Sequence, residues 1–511
     1  MAVKTFASIY VGSSELILKI YEISGKKNFR ELDRISKSVE LGKDTYRKGA
    51  LDTKVLSEVC EILKDFKKKM KEYQATDYRA FATSAIREAS NQELALDFIK
   101  RNTGIVVKVL SNSEQRYMIF KGMVARYDAF HQVVSKNTAF VDVGAGSIQI
   151  SLFDKNNLIV TENIHIGAIR VRDYLSMVGS KSGRMDQVIS EYVDSDIATF
   201  RNIYLNDKEI KNILMVGEAA DTIKSFIPEI KDRESISREQ FEKMYRKLAK
   251  MTPQDLSDKY GIPYERATLV LPTVIIYTSF LNNCKAEEVY VPNVDLCDGI
   301  MAGYMDEGSR VCFDHNFEDD IVASAQNLNK RYHCNRAHTD KVMEFALKLF
   351  DSFKKIHELG KKERLLLQIS AILHECGNYI NLHDGAQNSY FIVANSEIIG
   401  LTHKERMEVA NIIKYNLYYL PSQTEISKTL EGADFIVIAK LAAILRIANV
   451  LDKSHTQKID DISVTVTDDK MLIYVSTYED ISLESGLFEA RADFFEQVYG
   501  IRPVLRQKRS V

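Results

Sequence analysis

Two short segments carry residue types suited to holding phosphate. They read Tyr10-Val11-Gly12-Ser13-Ser14 and Asp142-Val143-Gly144-Ala145-Gly146-Ser147. In each, an apolar stretch runs into a turn of small residues and out into an alternating stretch. The backbone N–H groups of such a turn can cradle phosphate oxygens, and glycine supplies φ > 0 or close approach to a ligand. The two segments align at one constant offset, Tyr10 with Asp142, Gly12 with Gly144 and Ser14 with Gly146. A second concentration of reactive side chains lies late in the chain, where eight of the ten histidines fall beyond residue 310.

Each turn needs a strand on either side and a scaffold behind it. A duplicated strand–turn–strand unit, followed both times by helical segments, predicts two α/β lobes facing each other. Hydrophobic periodicity predicts helices over 54–73 and 185–206, and buried strands over 211–216 (leading into Gly217) and 288–292. Polar residues at 306–320 mark a boundary. Beyond it, helical periods over 338–359, 362–374, 404–415 and 435–451 predict an all-α domain. Residues 462–475 alternate about Asp468-Asp469-Lys470 as a hairpin, with a helix near 487–499. The expected fold class is α/β. Its two lobes cover 1–132 and 133–305, followed by a helical domain over 306–455 and a small α+β cap over 456–511.

Composition narrows the function. The 511 residues are 45% hydrophobic and 27% charged, as in soluble globular proteins, and suffice for three or four domains. The net charge of −2 offers no global polycation, so no nucleic-acid partner is expected and a polyanion would need a local pocket. Cys60, Cys284, Cys297, Cys312, Cys334 and Cys376 form no CxxC pair and match no zinc ribbon. The opening MAVKTFASIY lacks a secretory h-region, and no uninterrupted apolar run matches a bilayer span. The expectation is a cytoplasmic protein with free thiols and no membrane partner.

Further segments extend the pattern of the two turns. They are Leu41-Gly42, the run Ala82-Thr83-Ser84-Ala85-Ile86-Arg87-Glu88-Ala89, the run Leu110-Ser111-Asn112-Ser113-Glu114-Gln115, Ile166-Gly167-Ala168-Ile169-Arg170, and Glu265-Arg266-Ala267. In this order and spacing, over about residues 1–305, the chain resembles the exopolyphosphatase / guanosine pentaphosphate phosphohydrolase (Ppx/GppA) family of the actin-like ATPase superfamily. The resemblance implies two actin-like (ribonuclease H-like) lobes with a cleft, a homodimer, and Mg2+ as cofactor. It implies release of terminal phosphate from inorganic polyphosphate or guanosine penta- or tetraphosphate. Phosphate would be held at Gly12, Ser13, Ser14, Thr83, Ser84, Arg87, Gly144, Ala145, Gly146 and Ser147. Metal would be held at Asp142 and position 149, and water would be activated by an acid at position 115.

Three positions depart from that pattern: Tyr10, Gln115 and Gln149 stand where acids are expected. A neutral amide is no general base near pH 7, and fewer acids weaken a divalent site while lowering repulsion towards a polyanion. Glu114 is the neighbouring carboxylate that would take over, although a helix-start acid is the alternative reading. Arg170 and Arg266 fit structural ion pairs better than ligand contacts. Two functions follow: a phosphohydrolase with weakened turnover, or an inactive polyphosphate or alarmone sensor or scaffold.

In the helical region His338, His374, Glu375 and Asn449 resemble the scaffold of an HD-type metal phosphohydrolase domain. Such a domain ligates metal through one histidine, an adjacent His-Asp pair and a distant Asp. With Glu375 and the neutral Asn449 in place of the acids, the expected outcome is packing histidines without metal.

Overall fold

The computed structural model describes residues 4–24, 28–178, 185–205, 209–227, 235–307, 315–422, 425, 432–467 and 470–507. These form two compact units, Met1–Phe317 and Glu318–Val511. The tip of the hairpin at Asp468-Asp469 and the chain end beyond residue 507 lie outside the described residues.

The first unit is built on two sheets. One holds β1 (Lys4–Val11), β2 (Glu15–Ser24), β3 (Asn28–Ser38), β4 (Asp77–Ala82) and β5 (Val107–Val109) in the order β3-β2-β1-β4-β5. The other holds β6 (Thr138–Val143), β7 (Ile148–Asp154), β8 (Asn157–Ile164), β9 (Asn212–Val216), β10 (Ser235–Ser237) and β11 (Glu288–Tyr290) in the order β10-β11-β9-β6-β7-β8. Each sheet begins with an antiparallel meander and continues with parallel strands: β1 pairs β4 as β6 pairs β9. The repeat reaches the register, where Tyr10 faces Ile17 and Asp142 faces Gln149. Strands buried on both faces are nearly continuous apolar runs; the fully buried Asn212–Val216 (NILMV) is one after its first residue, Asn212, whose side-chain amide donates to Val133 O at 3.1 Å.

The helix Tyr264–Cys284 covers the second sheet through Val274, Ile275, Tyr277, Phe280 and Leu281. Its length and hydropathy would suffice to cross a bilayer, yet 67% of that window is buried in the fold. A core helix is apolar all round for the same reason a membrane helix is. After β11 the chain returns to the first sheet. The helix Leu296–Glu307 packs on β1 and on the helix Asn112–Arg126. The two helices approach so closely that a side chain at Gly299 would strike the Met118 backbone.

The second unit is helical up to residue 450, including Arg336–Ser352, Lys361–Leu373, His403–Leu417 and Gly432–Val450. The helix expected over 338–359 stops earlier, because Phe353 leaves helical geometry and Glu358 takes φ 57°. The C-terminal hairpin, β12 (Asp461–Val466) and β13 (Lys470–Ser476), gains a third strand that sequence periodicity did not predict. This is β14 (Arg502–Gln507), parallel to β13 and delivered by the helix Ser482–Tyr499.

Candidate active site

The β1–β2 and β6–β7 turns open onto one cleft in the first unit. It is lined by Tyr10, Ser13, Ser14, Thr83, Ser84, Gln115, Asp142, Gly144, Ala145, Ser147 and Gln149, and it also receives Arg34, Arg266 and Asp295. The enclosed space is about 90 Å³. One water needs roughly 10–15 Å³, so a small anion with some waters fits.

The two turns close alike. Gly12 N–H donates to Glu15 O at 2.8 Å, and Gly144 N–H donates to Ser147 O at 2.9 Å. Each is also overlaid by a phenol. The Tyr10 ring folds back over its own turn, so a Cβ at Gly12 would lie 2.8 Å from its hydroxyl. That hydroxyl sits 3.4 Å from Thr83 Oγ1. Tyr46 covers Gly146, where a Cβ would lie 2.6 Å from the hydroxyl. Tyr46 OH donates to Ser84 Oγ at 2.9 Å and lies 3.1 Å from Ser13 Oγ, and the two serine hydroxyls are 3.0 Å apart. Burial pushes the Tyr46 pKa up, so it stays a neutral phenol. Arg170 lies over its ring and donates to Gly146 O at 2.8 Å while pairing with Glu88. Tyr46 thus ties the first turn, the helix start at Ser84 and the second turn together.

Asp142, the penultimate residue of β6, is 6% exposed. Two neighbours define its surroundings. Gly217, at φ 83°, passes so close that a Cβ there would run into the Asp142 carboxylate. Gln115 Nε2 lies 3.4 Å from Asp142 Oδ2, as a donor. Opposite Asp142 on β7, Gln149 is 3% exposed and its Oε1 is buried without a hydrogen-bond partner.

Two expected site residues are engaged elsewhere. Glu114 does not line the cleft. It closes a capping box at the start of Asn112–Arg126, accepting from Ser111 N at 2.9 Å while its own N–H donates to Ser111 Oγ at 3.2 Å. Its helix-start role is what the Ser111-x-x-Glu114 spacing specifies, and it corrects the expectation that this carboxylate reaches the water. Arg87 does not line the cleft either; its guanidinium donates to Leu110 O and Asn112 Oδ1. Position 112 offers an acceptor that draws the arginine away from the turns.

At the cleft floor lies a charge cluster that motif reading passed over. Lys19 Nζ is 2.9 Å from a carboxylate oxygen of both Asp295 and Asp298, and Arg126 pairs with Asp298. Burial, together with the neighbouring Asp298, pushes the Asp295 carboxyl up to about 6. Burial also opposes ionisation of Asp298, yet Lys19 and Arg126 outweigh it and lower its pKa. The arginines lining the cleft are both committed: Arg34 lies 3.6 Å from Asp295, and Arg266 pairs with Glu15.

A model of the Ppx/GppA phosphatase family matches residues 19–307, more than half of the chain. The chain belongs to the Ppx/GppA phosphatase family. A model of Ppx/GppA phosphatase, domain III, matches residues 322–490. The guanosine-5'-triphosphate,3'-diphosphate pyrophosphatase of Aeromonas hydrophila is 20% identical over 464 residues, 88% of either chain. That of Photobacterium profundum is 19% identical, over 92% of this chain and 91% of its own. The exopolyphosphatase of Cytophaga hutchinsonii shares the fold, with a TM-score of 0.53 at 20% identity over 60% of this chain and 98% of its own.

The domain III region of this Ppx/GppA chain holds the histidine cluster. His338 Nδ1 lies 2.8 Å from Asp452 Oδ2, and His338 Nε2 lies 3.2 Å from His374 Nε2. Glu375 Oε1 lies 3.8 Å from His338 Nε2 and 3.5 Å from His455 Nε2. Burial lowers the His374 pKa to about 4. Of the four residues expected from sequence, His338, His374 and Glu375 come together. Asn449 sits one turn before Asp452, and it is Asp452 that meets His338. His455, in the loop after Gly432–Val450, completes the cluster and carried no motif.

Proposed function

We propose that the first-unit cleft takes the terminal phosphoryl of a polyphosphate chain or of a guanosine penta- or tetraphosphate, and hydrolyses it with weakened turnover. The observation that carries this reading is Gln115 Nε2 at 3.4 Å from Asp142 Oδ2, inside the cleft. An amide there positions water by hydrogen bonding and takes no proton from it. Ser13, Ser14, Thr83, Ser84, Ala145 and Ser147 would supply neutral donors around the phosphoryl oxygens. The relatives that act on guanosine pentaphosphate span most of this chain, which supports the substrate class.

Mg2+ suits the cleft. It needs hard oxygens, and one or two carboxylates suffice when substrate phosphate supplies the rest. Asp142 and the partnerless Gln149 Oε1 are the oxygens that would hold it. Bound there, the ion would neutralise charge on the transferred group.

A second reading, a sensor that binds without cutting, is favoured by Glu114 and Arg87, which are held outside the cleft by Ser111, Leu110 and Asn112. Phosphate release and equilibrium binding on the same samples separate the two. With Mg2+, the wild-type chain is expected to bind polyphosphate or guanosine pentaphosphate and to release phosphate slowly, with Asp142→Ala abolishing release. Binding with no release above the Asp142→Ala background selects the sensor. Absence of binding to either substrate contradicts both readings.

A further inference from the structure

The Tyr46 phenol stands behind two serines, Ser13 and Ser84, that line the cleft. Its hydroxyl lies 2.9 Å from Ser84 Oγ and 3.1 Å from Ser13 Oγ, and the serine oxygens are 3.0 Å apart. The three hydroxyls form a triangle, and each brings one proton. Without a ligand, every proton has an oxygen of the triangle to point at.

An ionised phosphoryl oxygen accepts hydrogen bonds and offers no proton. To hold one, both serines must turn their protons into the cleft. Their oxygens would then face each other across 3.0 Å with no proton between them. The phenol proton relieves that repulsion. It lies within reach of both oxygens and can be shared between them as a three-centre bond. Burial raises the Tyr46 pKa, so this proton stays on the phenol at neutral pH. One proton from Tyr46 therefore releases two protons to a ligand.

The neighbours of Tyr46 in the helix Leu41–Lys48 fix where its hydroxyl lies. Gly42 N–H donates to Ser13 O at 2.8 Å, and Thr45 Oγ1 donates to Ala85 O at 2.8 Å. The helix is thus fastened to both segments that carry the serines. Arg47 donates to the two carboxylate oxygens of Asp173 at 2.9 and 3.0 Å, and Arg170 lies over the Tyr46 ring. None of these contacts uses the phenol oxygen, so its removal leaves ring and helix in place.

We infer that Tyr46 is a positioning residue for phosphate, which orients the Ser13 and Ser84 hydroxyls as paired donors to a phosphoryl oxygen in the cleft. This rests on the cleft being a phosphate site, and it holds for a hydrolase and a sensor alike.

The test measures dissociation constants for guanosine pentaphosphate and polyphosphate with Mg2+. It compares wild type, Tyr46→Phe, Ser84→Ala and the double variant, with urea unfolding of each. Tyr46→Phe is expected to weaken binding about tenfold, at a stability loss no larger than one hydrogen bond. Where phosphate is released, KM should rise and kcat should hold. In the Ser84→Ala background only one serine hydroxyl remains, so no repulsion is left to relieve. There Tyr46→Phe should weaken binding less than about threefold. A residue that merely packs would act by the same factor in both backgrounds, and that result would overturn the inference. Unchanged affinity in Tyr46→Phe, or a fall in kcat at constant KM, would do the same. If wild type binds neither substrate, the phosphate reading of the cleft fails and takes this inference with it. Wild-type binding with an indifferent Tyr46→Phe refutes this inference alone.

Discussion

In the proposed reading, the Gln115–Asp142 pair sets the chemistry of the cleft. A glutamate at 115 would bring two carboxylates together, and both can stay ionised only beside a cation. The amide removes that demand and satisfies Asp142 by a hydrogen bond instead. The neighbouring Glu114 shows what one sequence does and does not reveal. The capping box was legible in the Ser-x-x-Glu spacing, but the pull of Asn112 on Arg87 depends on a contact that no motif encodes. Two substitutions check this local picture. Gly217→Ala places a methyl against the Asp142 carboxylate at φ 83°, so a loss of about 1–3 kcal/mol is expected from urea midpoints; an unchanged midpoint would refute the close approach. Tyr46→Phe removes the hydroxyl shared by Ser13 and Ser84. The serines still pair with each other, so the expected cost is only about 1 kcal/mol, measured the same way.

Among the elements, the repeat was the most legible feature, because turn glycines and alternating strands leave a local signature at both copies. The matching orders β3-β2-β1-β4 and β8-β7-β6-β9 are its three-dimensional outcome. β14 escaped because six residues (RPVLRQ) carry too little alternation, and its strand identity comes from pairing with β13. Helix His403–Leu417 offers a pH test at this scale. Burial, with Asp434 nearby, pushes the Glu408 carboxyl up from 4.5 to about 7. A raised carboxyl means the folded state binds the proton more tightly than the unfolded state, so stability falls as pH climbs from 4.5 towards 7. Glu408→Gln should melt like wild type near pH 4.5 and above it at pH 8, by on the order of 1–3 kcal/mol. An identical difference at both pH values would contradict the assignment.

For the whole molecule, the first unit is closed by residues far apart in sequence. Lys19, Tyr21 and Arg126 meet Asp298 across 279, 277 and 172 positions. Such contacts have no period or motif, which is why the cluster at the cleft floor was illegible, as was the meeting of His338 with Asp452. Asp298→Asn removes a fully buried charge from among three donors. Lys19 retains Asp295 and Glu31, so a loss of about 3 kcal/mol is expected in denaturant unfolding; no loss would show the network to be dispensable. The proposed function has this Ppx/GppA chain keep a phosphate-binding cleft whose water-activating position is an amide. The most direct measurement is Mg2+-dependent phosphate release from polyphosphate and guanosine pentaphosphate by wild type and Gln115→Glu. A gain of about tenfold or more in Gln115→Glu, with substrate affinity little changed, is the predicted result. Wild-type turnover at ordinary enzyme rates, on the order of 1–1000 per second, with no gain in Gln115→Glu, would contradict it.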